Sequence, residues 1–388
     1  MNKYNFDELA YRYNTDSSKY SEGENILPMW VADMDFKVLP EIEEAIINRA
    51  KIGAYGYTDV PSRYFKAYKD FYYRHHHISF EIEECIYATG IVAAIDSIFK
   101  NILNRGDKVM MLTPIYHIFF NCIKNNGLEL VEQVFDYDSS SFSIDYKKLE
   151  ERLTKEDIKA FLLCNPHNPN GYIFSIEELN HIAKLCYENN ILLLSDEIHG
   201  EIVDPDSIYH SILEVDDKYY KNIIALFAGG KVFNIAGLHS ACLVIKDQEL
   251  RDNVQAGIYH DDIGEPNFFS CDANIAAFNN GDEWIKELNQ YLYNNKNYLY
   301  SFLKERLPHL KCLPSKATYL LWIDISYYSS SSEQFANELK EKYGLWISAG
   351  NVFRGNGNSF IRINVATSLV NVKLAMEKLE QYCKSIKD

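Results

Sequence analysis

Ala160-Phe-Leu-Leu-Cys164, Ile191-Leu-Leu-Leu-Ser195 and Asn222-Ile-Ile-Ala-Leu-Phe227 are continuous apolar runs, and a helical pattern over 176–189 separates the first two. A strand that is apolar at every position is covered on both faces, as in a parallel sheet, whereas a half-exposed strand alternates. Working outward, Cys85-Ile-Tyr-Ala-Thr89 precedes a helical pattern over 92–103, and Lys108-Val-Met-Met-Leu112 precedes another from Tyr116. Short apolar strands alternating with helices from 84 to 246 predict an α/β domain built on a mostly parallel sheet.

The pattern changes near residue 282. A long helix is expected over 284–306, strands over 318–324 and 360–364, and helices over 332–343 and 370–384. Helices with fewer strands and no strict alternation predict a smaller α+β domain. The expected division is residues 1–45 as an N-terminal arm with part of the smaller domain, 46–281 as the large domain, and 282–388 as the C-terminal small domain.

Composition narrows the function classes. The chain has 388 residues, 47% hydrophobic and 24% charged, with Gly (18) and Pro (10) scarce, so fibrous and broadly disordered readings are out. A net charge of −16 repels phosphate backbones and anionic bilayers, so neither nucleic acid nor a membrane is an expected partner. No apolar run approaches the ~20 residues of a membrane span, and the opening residues lack a signal peptide's apolar core. The eight cysteines are scattered without a CxxC pair, which fits reduced core thiols and a cytoplasmic location.

In open parallel sheets, ligands bind beyond the carboxyl ends of the strands. The residues there are Thr89-Gly90-Ile-Val-Ala, Thr113-Pro-Ile-Tyr116, Asn165-Pro-His-Asn168-Pro-Asn-Gly171, Ser195-Asp196-Glu-Ile-His199 and Ala228-Gly-Gly-Lys231. Together they supply what pyridoxal phosphate requires. A lysine must join the cofactor's aldehyde as a Schiff base, and a carboxylate must keep the pyridine nitrogen protonated. Donors must meet the phenolate oxygen, an aromatic face can stack on the ring, and a glycine-to-helix turn can seat the phosphate. An arginine can then fix the substrate carboxylate bidentately.

On these residues, with Leu27-Pro-Met-Trp-Val-Ala-Asp-Met-Asp-Phe36, Tyr55-Gly-Tyr57, Lys231-Val-Phe-Asn-Ile-Ala-Gly237 and Ala317-Thr-Tyr-Leu-Leu-Trp322, the chain resembles a known family. It is similar to fold-type I pyridoxal phosphate enzymes of the aspartate aminotransferase superfamily, in the branch of MalY/PatB-type cystathionine β-lyases. The similarity runs from about residue 24 to 383. It implies a seven-stranded, mostly parallel sheet in the large, cofactor-binding domain and a homodimer with shared active sites. It also implies roles for individual residues. Lys231 is the Schiff-base lysine and acid–base catalyst, and Asp196 the partner of the pyridine nitrogen. Asn168 and His199 face the phenolate oxygen, and Tyr116 stacks on the ring. Thr89, Gly90, Ile91 and Val92 form the phosphate turn, while Tyr57 reaches the phosphate of the neighbouring subunit's cofactor. Arg362 grips the substrate carboxylate with help from Asn168, and the backbone near Ala32 forms a flap over it.

One segment departs from the pattern. Relatives often place a hydroxyl residue just before the lysine and Thr just after; here the run is Ala228-Gly229-Gly230-Lys231-Val232. Eight residues after the lysine, where aspartate aminotransferases have a phosphate-binding arginine, stands His239. A positive φ is expected at Gly230, which would bar a side chain there.

Other motifs carry less. Gly229-Gly-Lys231 is not a P-loop, since residue 225 is Ala and Val232 cannot ligate Mg²⁺. No GxGxxG follows Gly90, which argues against a dinucleotide site. Three adjacent histidines, His75 to His77, cannot converge on one ion in a regular element, so no metal is expected. The expected activity is a carbon–sulfur β-lyase, eliminating thiol from cystathionine or another cysteine-type substrate to leave pyruvate and ammonia. An aminotransferase is the second choice, because the Cα–H step is shared. A non-enzymatic regulator retaining the fold comes third.

Overall fold

The computed structural model describes residues 3–386. Its main sheet has seven strands in the order Cys85–Ala88, Ala241–Val244, Ile223–Phe227, Leu192–Asp196, Ile158–Cys164, Lys108–Thr113 and Glu129–Val134. All neighbours are parallel except Ala241–Val244, which runs antiparallel to both of its partners. The five apolar runs read in the sequence are five of these strands.

The two-residue period of a strand sends alternate side chains to opposite faces. Val109, Met111, Ala160, Leu162, Leu194 and Leu226 pack into one core, with Ile95, Ile98 and Phe119 from the helices Ile91–Ile102 and Ile118–Asn125. Met110, Leu112, Phe161, Leu163, Leu193 and Phe227 pack into the other. That second core takes in the helices Ser62–His76, Ile176–Glu188 and Ser270–Asn280. Helix ends follow local rules: Ser175 and Glu178 form a reciprocal capping box at the start of Ile176–Glu188. Gly344, at φ +66°, takes the left-handed position that ends Ser332–Tyr343.

The long helix is Asp282–Arg306, and it buries Trp284, Ile285, Leu288, Leu292, Asn295, Lys296, Leu299 and Leu303 at helical spacing. Beyond it lies a four-stranded sheet in the order Lys311–Cys312, Leu320–Asp324, Phe360–Asn364 and Ser348–Ala349. The short strand Leu27–Pro28 pairs in parallel with Leu345–Trp346, so the N-terminal segment lies against the C-terminal part of the chain. Among the described residues, no helix is long and apolar enough to cross a membrane.

The segment after Pro28 is irregular yet buried, and a buried ion pair anchors it. Lys19 Nζ lies 2.6 Å from Asp35 Oδ1, with side chains 1% and 3% exposed, and also donates to Asp33 O at 2.8 Å. Removing one member leaves an uncompensated buried charge. Lys19→Met is expected to lower stability by about 3–5 kcal/mol, read from the urea unfolding midpoint. Lys19→Met with Asp35→Leu should recover much of that loss. A single-variant loss below about 1 kcal/mol, the value of a surface pair, would show that the ion pair does not anchor the segment.

Candidate functional site

The carboxyl ends of the parallel strands open into a cavity of about 1130 Å³. Because Ala241–Val244 runs the opposite way, its amino end, with His239 and Ser240, reaches the same opening. Of the residues singled out in the sequence, Ala32, Thr89, Gly90, Ile91, Val92, Tyr116, Asn168, Asp196, His199, Lys231 and Arg362 all line it. Tyr57 does not: it is fully exposed, in an irregular stretch before the helix Ser62–His76.

Lys231 Nζ donates to Ala32 O at 2.6 Å. Burial lowers its ammonium to about 8; Asp33 and Asp196 pull upward, while Arg362 pushes further down. Asp196 ends its strand, buried, and among the described residues its carboxylate accepts one hydrogen bond, from Ile198 N–H at 3.1 Å. Burial raises its pKa to about 7, against the pull of that N–H and of Lys231. Such a carboxylate is half of a pair. His199, three residues on, is buried with Nδ1 unpartnered, and burial with the two nearby cations lowers its pKa to about 3, so it stays neutral.

Arg362 comes from the strand Phe360–Asn364 of the smaller sheet. Its Nη1 donates to Asn168 Oδ1 at 3.0 Å, and its Nη2 to Trp30 O at 2.9 Å and Ser348 Oγ at 3.4 Å. Its buried Nε has no partner. Burial lowers its pKa to about 10, so it remains cationic at neutral pH. Tyr116 lines the cavity with its ring edge-on to Phe119, and burial raises its phenol pKa.

The groups fit pyridoxal phosphate. A protonated ring nitrogen would supply the missing half of the Asp196 pair. The orphaned His199 Nδ1 and the amide nitrogen of Asn168 are polar groups for a ring oxygen. Gly90, at φ +126°, precedes the helix Ile91–Ile102, and a Cβ placed on it meets nothing within 4 Å. That is an open cradle at a helix N-terminus, suited to a phosphate.

The departures look different in three dimensions. Gly230 does not have a positive φ, contrary to expectation; what restricts it is crowding, since a Cβ there would lie 3.2 Å from Ala236 Cα. Ala228 is buried and lines the cavity without a hydroxyl, but Ser240 supplies one nearby, 2.7 Å from the Tyr64 hydroxyl. Sequence reading missed Ser240 because an antiparallel strand, not spacing, delivers it. It also missed Glu197, whose carboxylate accepts from Ser195 Oγ (2.7 Å), Ser211 Oγ (2.6 Å), Ile212 N–H (2.8 Å) and the Tyr209 hydroxyl. This network fixes the backbone beside Asp196. Of the three histidines, His75 pairs with Asp282 and His76 with Glu201. Among the described residues, no metal-binding cluster forms.

Comparison with known proteins agrees with this geometry. The chain is 30% identical over 382 residues to cystathionine beta-lyase PatB of Bacillus subtilis (strain 168), covering 97% of this chain and 99% of that one. It superposes on the PLP-bound C-S lyase of Staphylococcus hominis, in external aldimine form with the inhibitor L-cycloserine. The TM-score there is 0.91 at 31% identity, over 98% of this chain and 99% of that one. It also superposes on cystalysin of Treponema denticola, which contains pyridoxal 5'-phosphate, with a TM-score of 0.94 at 26% identity over 98% and 99% of the two chains. With the model for aminotransferase class I and II matching residues 24–379, the chain belongs to that family.

Proposed function

We propose that this protein is a pyridoxal phosphate-dependent carbon–sulfur β-lyase acting on cystathionine or a similar cysteine thioether, releasing thiol, pyruvate and ammonia. The observation that carries the reading is the convergence of Lys231, Asp196, Asn168, His199, Tyr116 and Arg362 on one cavity, in a chain whose near full-length relative is a cystathionine β-lyase. Bound pyridoxal phosphate supplies an electron sink for the negative charge that develops at the substrate Cα.

The residues of this chain do the rest. Arg362 holds the substrate carboxylate, with its unpartnered Nε as a free donor. The lowered pKa of Lys231 makes its amine a base near neutral pH, placed to take the Cα proton. Asp196 keeps the ring nitrogen protonated, and neutral His199 with Asn168 faces the ring oxygen. Thr89, Gly90, Ile91 and Val92 seat the phosphate, with Ser240 supplying the hydroxyl that Ala228 lacks. The backbone at Ala32 covers the site. In this reading residues 46–281 hold the cofactor, while residues 282–388 and part of 1–45 hold the substrate. The protein works in the cytoplasm as a homodimer, with Tyr57 reaching the partner subunit's site.

Four outcomes test this. In cofactor-free protein, the Lys231 ammonium loses its proton as pH rises through about 8 rather than its ordinary 10.5. Labelling of Lys231 by trinitrobenzenesulfonate should therefore rise with a midpoint near 8, and Lys231→Ala should lose that phase; a midpoint near 10 would contradict the burial argument.

Loaded protein given cystathionine should yield thiol and pyruvate without an added oxo acid, whereas an aminotransferase would need the oxo acid and give transaminated product. Asp196→Asn should retain cofactor but cut turnover at least about 100-fold, since a neutral amide cannot hold the pyridinium proton. Near-normal turnover in that variant would remove Asp196 from the role.

Tyr57→Phe and Lys231→Ala chains, each impaired alone, should regain activity when mixed, because one of the two shared sites is then intact. An active monomer by sedimentation, or no recovery on mixing, would sink the shared-site arrangement.

A further inference from the structure

The cavity extends outward from Arg362 past the stacked rings of Trp30 and Trp346 (centroids 4.5 Å apart) to a polar mouth. Glu333 and Asn337 stand there, one turn apart on the same face of the helix Ser332–Tyr343, with Asn351 opposite. Asn351 is held in place: its N–H donates to Ser332 Oγ at 3.0 Å and its side-chain amide to Glu333 Oε2 at 3.3 Å. Its Oδ1 is buried without a partner. Among the described residues, Glu333 pairs with no lysine or arginine. The mouth therefore presents the Glu333 carboxylate beside the Asn337 amide, and the lysine and arginine that line the cavity, Lys231 and Arg362, lie at its other end.

The inner end is the reverse. Lys231 and Arg362 are cations, and the carboxylate Asp196 belongs to the ring nitrogen. An amino-acid substrate is thus oriented with its carboxylate inward, and its sulfur substituent must run toward the mouth. The reach is right. Ser348 lies opposite Arg362 in the sheet register, and the three residues from Ser348 to Asn351 span at most roughly 10 Å. A thioether substituent of a few bonds covers such a distance.

Resting on the lyase reading, we propose that Glu333, positioned by the Asn351 amide, forms a specificity site for an ammonium group carried by the departing thiol. An ammonium has three donors and no acceptor, which complements this carboxylate in sign and in hydrogen bonding. The site selects cysteine thioethers whose leaving group bears a primary amine over those with a plain alkyl group.

The test compares S-(2-aminoethyl)-L-cysteine with S-propyl-L-cysteine, which match in length and differ in ending in ammonium or methyl. In the loaded wild-type enzyme kcat/KM should favour the ammonium substrate about fivefold, chiefly through KM. Glu333→Gln should bring the ratio of the two close to one, and Glu333→Lys should invert it. Because the readout is a ratio, general damage to the enzyme cancels. A ratio unmoved by both variants overturns the proposal. The same variants are titrated with L-lysine and L-norleucine, following the cofactor's visible absorbance. If neither thioether is cleaved, the lyase reading fails, while the lysine-to-norleucine affinity ratio still decides the ammonium site: preference for lysine that Glu333→Gln abolishes supports it, and no preference overturns it.

Discussion

The backbone carbonyls from Trp30 to Met34 are the constraint around which the site is arranged. This segment is irregular and half-buried to buried, so its carbonyls have no sheet or helix to satisfy them and little access to water. Side chains from distant parts of the chain do it instead. Trp30 O accepts from Arg362 and Ser348, Val31 O from Asn364, Ala32 O from Lys231, Asp33 O from Lys19 and Asn364, and Met34 O from Arg12 and Asn234. Backbone N–H groups reinforce this at its ends, from Met29 to Trp346 O and from Asp35 to Ala366 O. One strip of chain thus ties the large sheet, through Lys231 and Asn234, to the small one, through Ser348, Arg362 and Asn364. The same contacts hold Lys231 and Arg362, which the proposed chemistry needs, in fixed directions.

Burial at this junction sets the electrostatics. Every charged group in it faces a desolvation cost, and each meets it differently. Lys19 and Asp35 pair with each other. Glu197 gathers four donors, and burial still raises its pKa to about 7. Lys231 and His199 move toward neutrality. Asp196 has neither a cation in contact nor a full set of donors, so its carboxyl is the group whose charge is least supported by the protein itself. A cationic ring placed against it would supply that support.

Much of this was legible in the sequence. Runs such as Ala160-Phe-Leu-Leu-Cys164 announced parallel strands because both faces of each are covered, and chemistry collects where those strands end. Glu129–Val134 escaped notice because it is an edge strand, with Glu129 exposed and Glu132 only half-buried, and its pattern is not that of a core run. Ala241–Val244 is four residues long and follows a loop rather than a helix, so nothing marked its reversed direction. Ser240 was hidden for that reason. Glu197 sat beside Asp196 in plain view, but a buried carboxylate's donors come from Ser195, Tyr209, Ser211 and Ile212, and only the folded chain brings them together. Glu333 and Asn351 carry no motif at all. They meet because a helix cap and a tight turn, joined through Ser332 Oγ, happen to rim the same cavity.

The donor inventory of Arg362 shows why the site has room for a substrate without being loose. A guanidinium carries five N–H donors in a plane. Asn168, Trp30 and Ser348 accept from its two terminal nitrogens, and Phe353 lies beneath it with the ring centroid 4.7 Å from Cζ. Its plane is therefore fixed from three sides, while Nε is left buried and unpaired. An unpaired buried donor costs free energy of about 1–3 kcal/mol. In the role proposed for Arg362, a substrate carboxylate accepting from it would recover that cost at a position already oriented, so binding need not spend energy ordering the arginine. The orphaned Nδ1 of His199 and the carboxylate of Asp196 follow the same logic for the ring. Polar groups that the fold leaves unsatisfied are where the cavity can gain most from what binds in it.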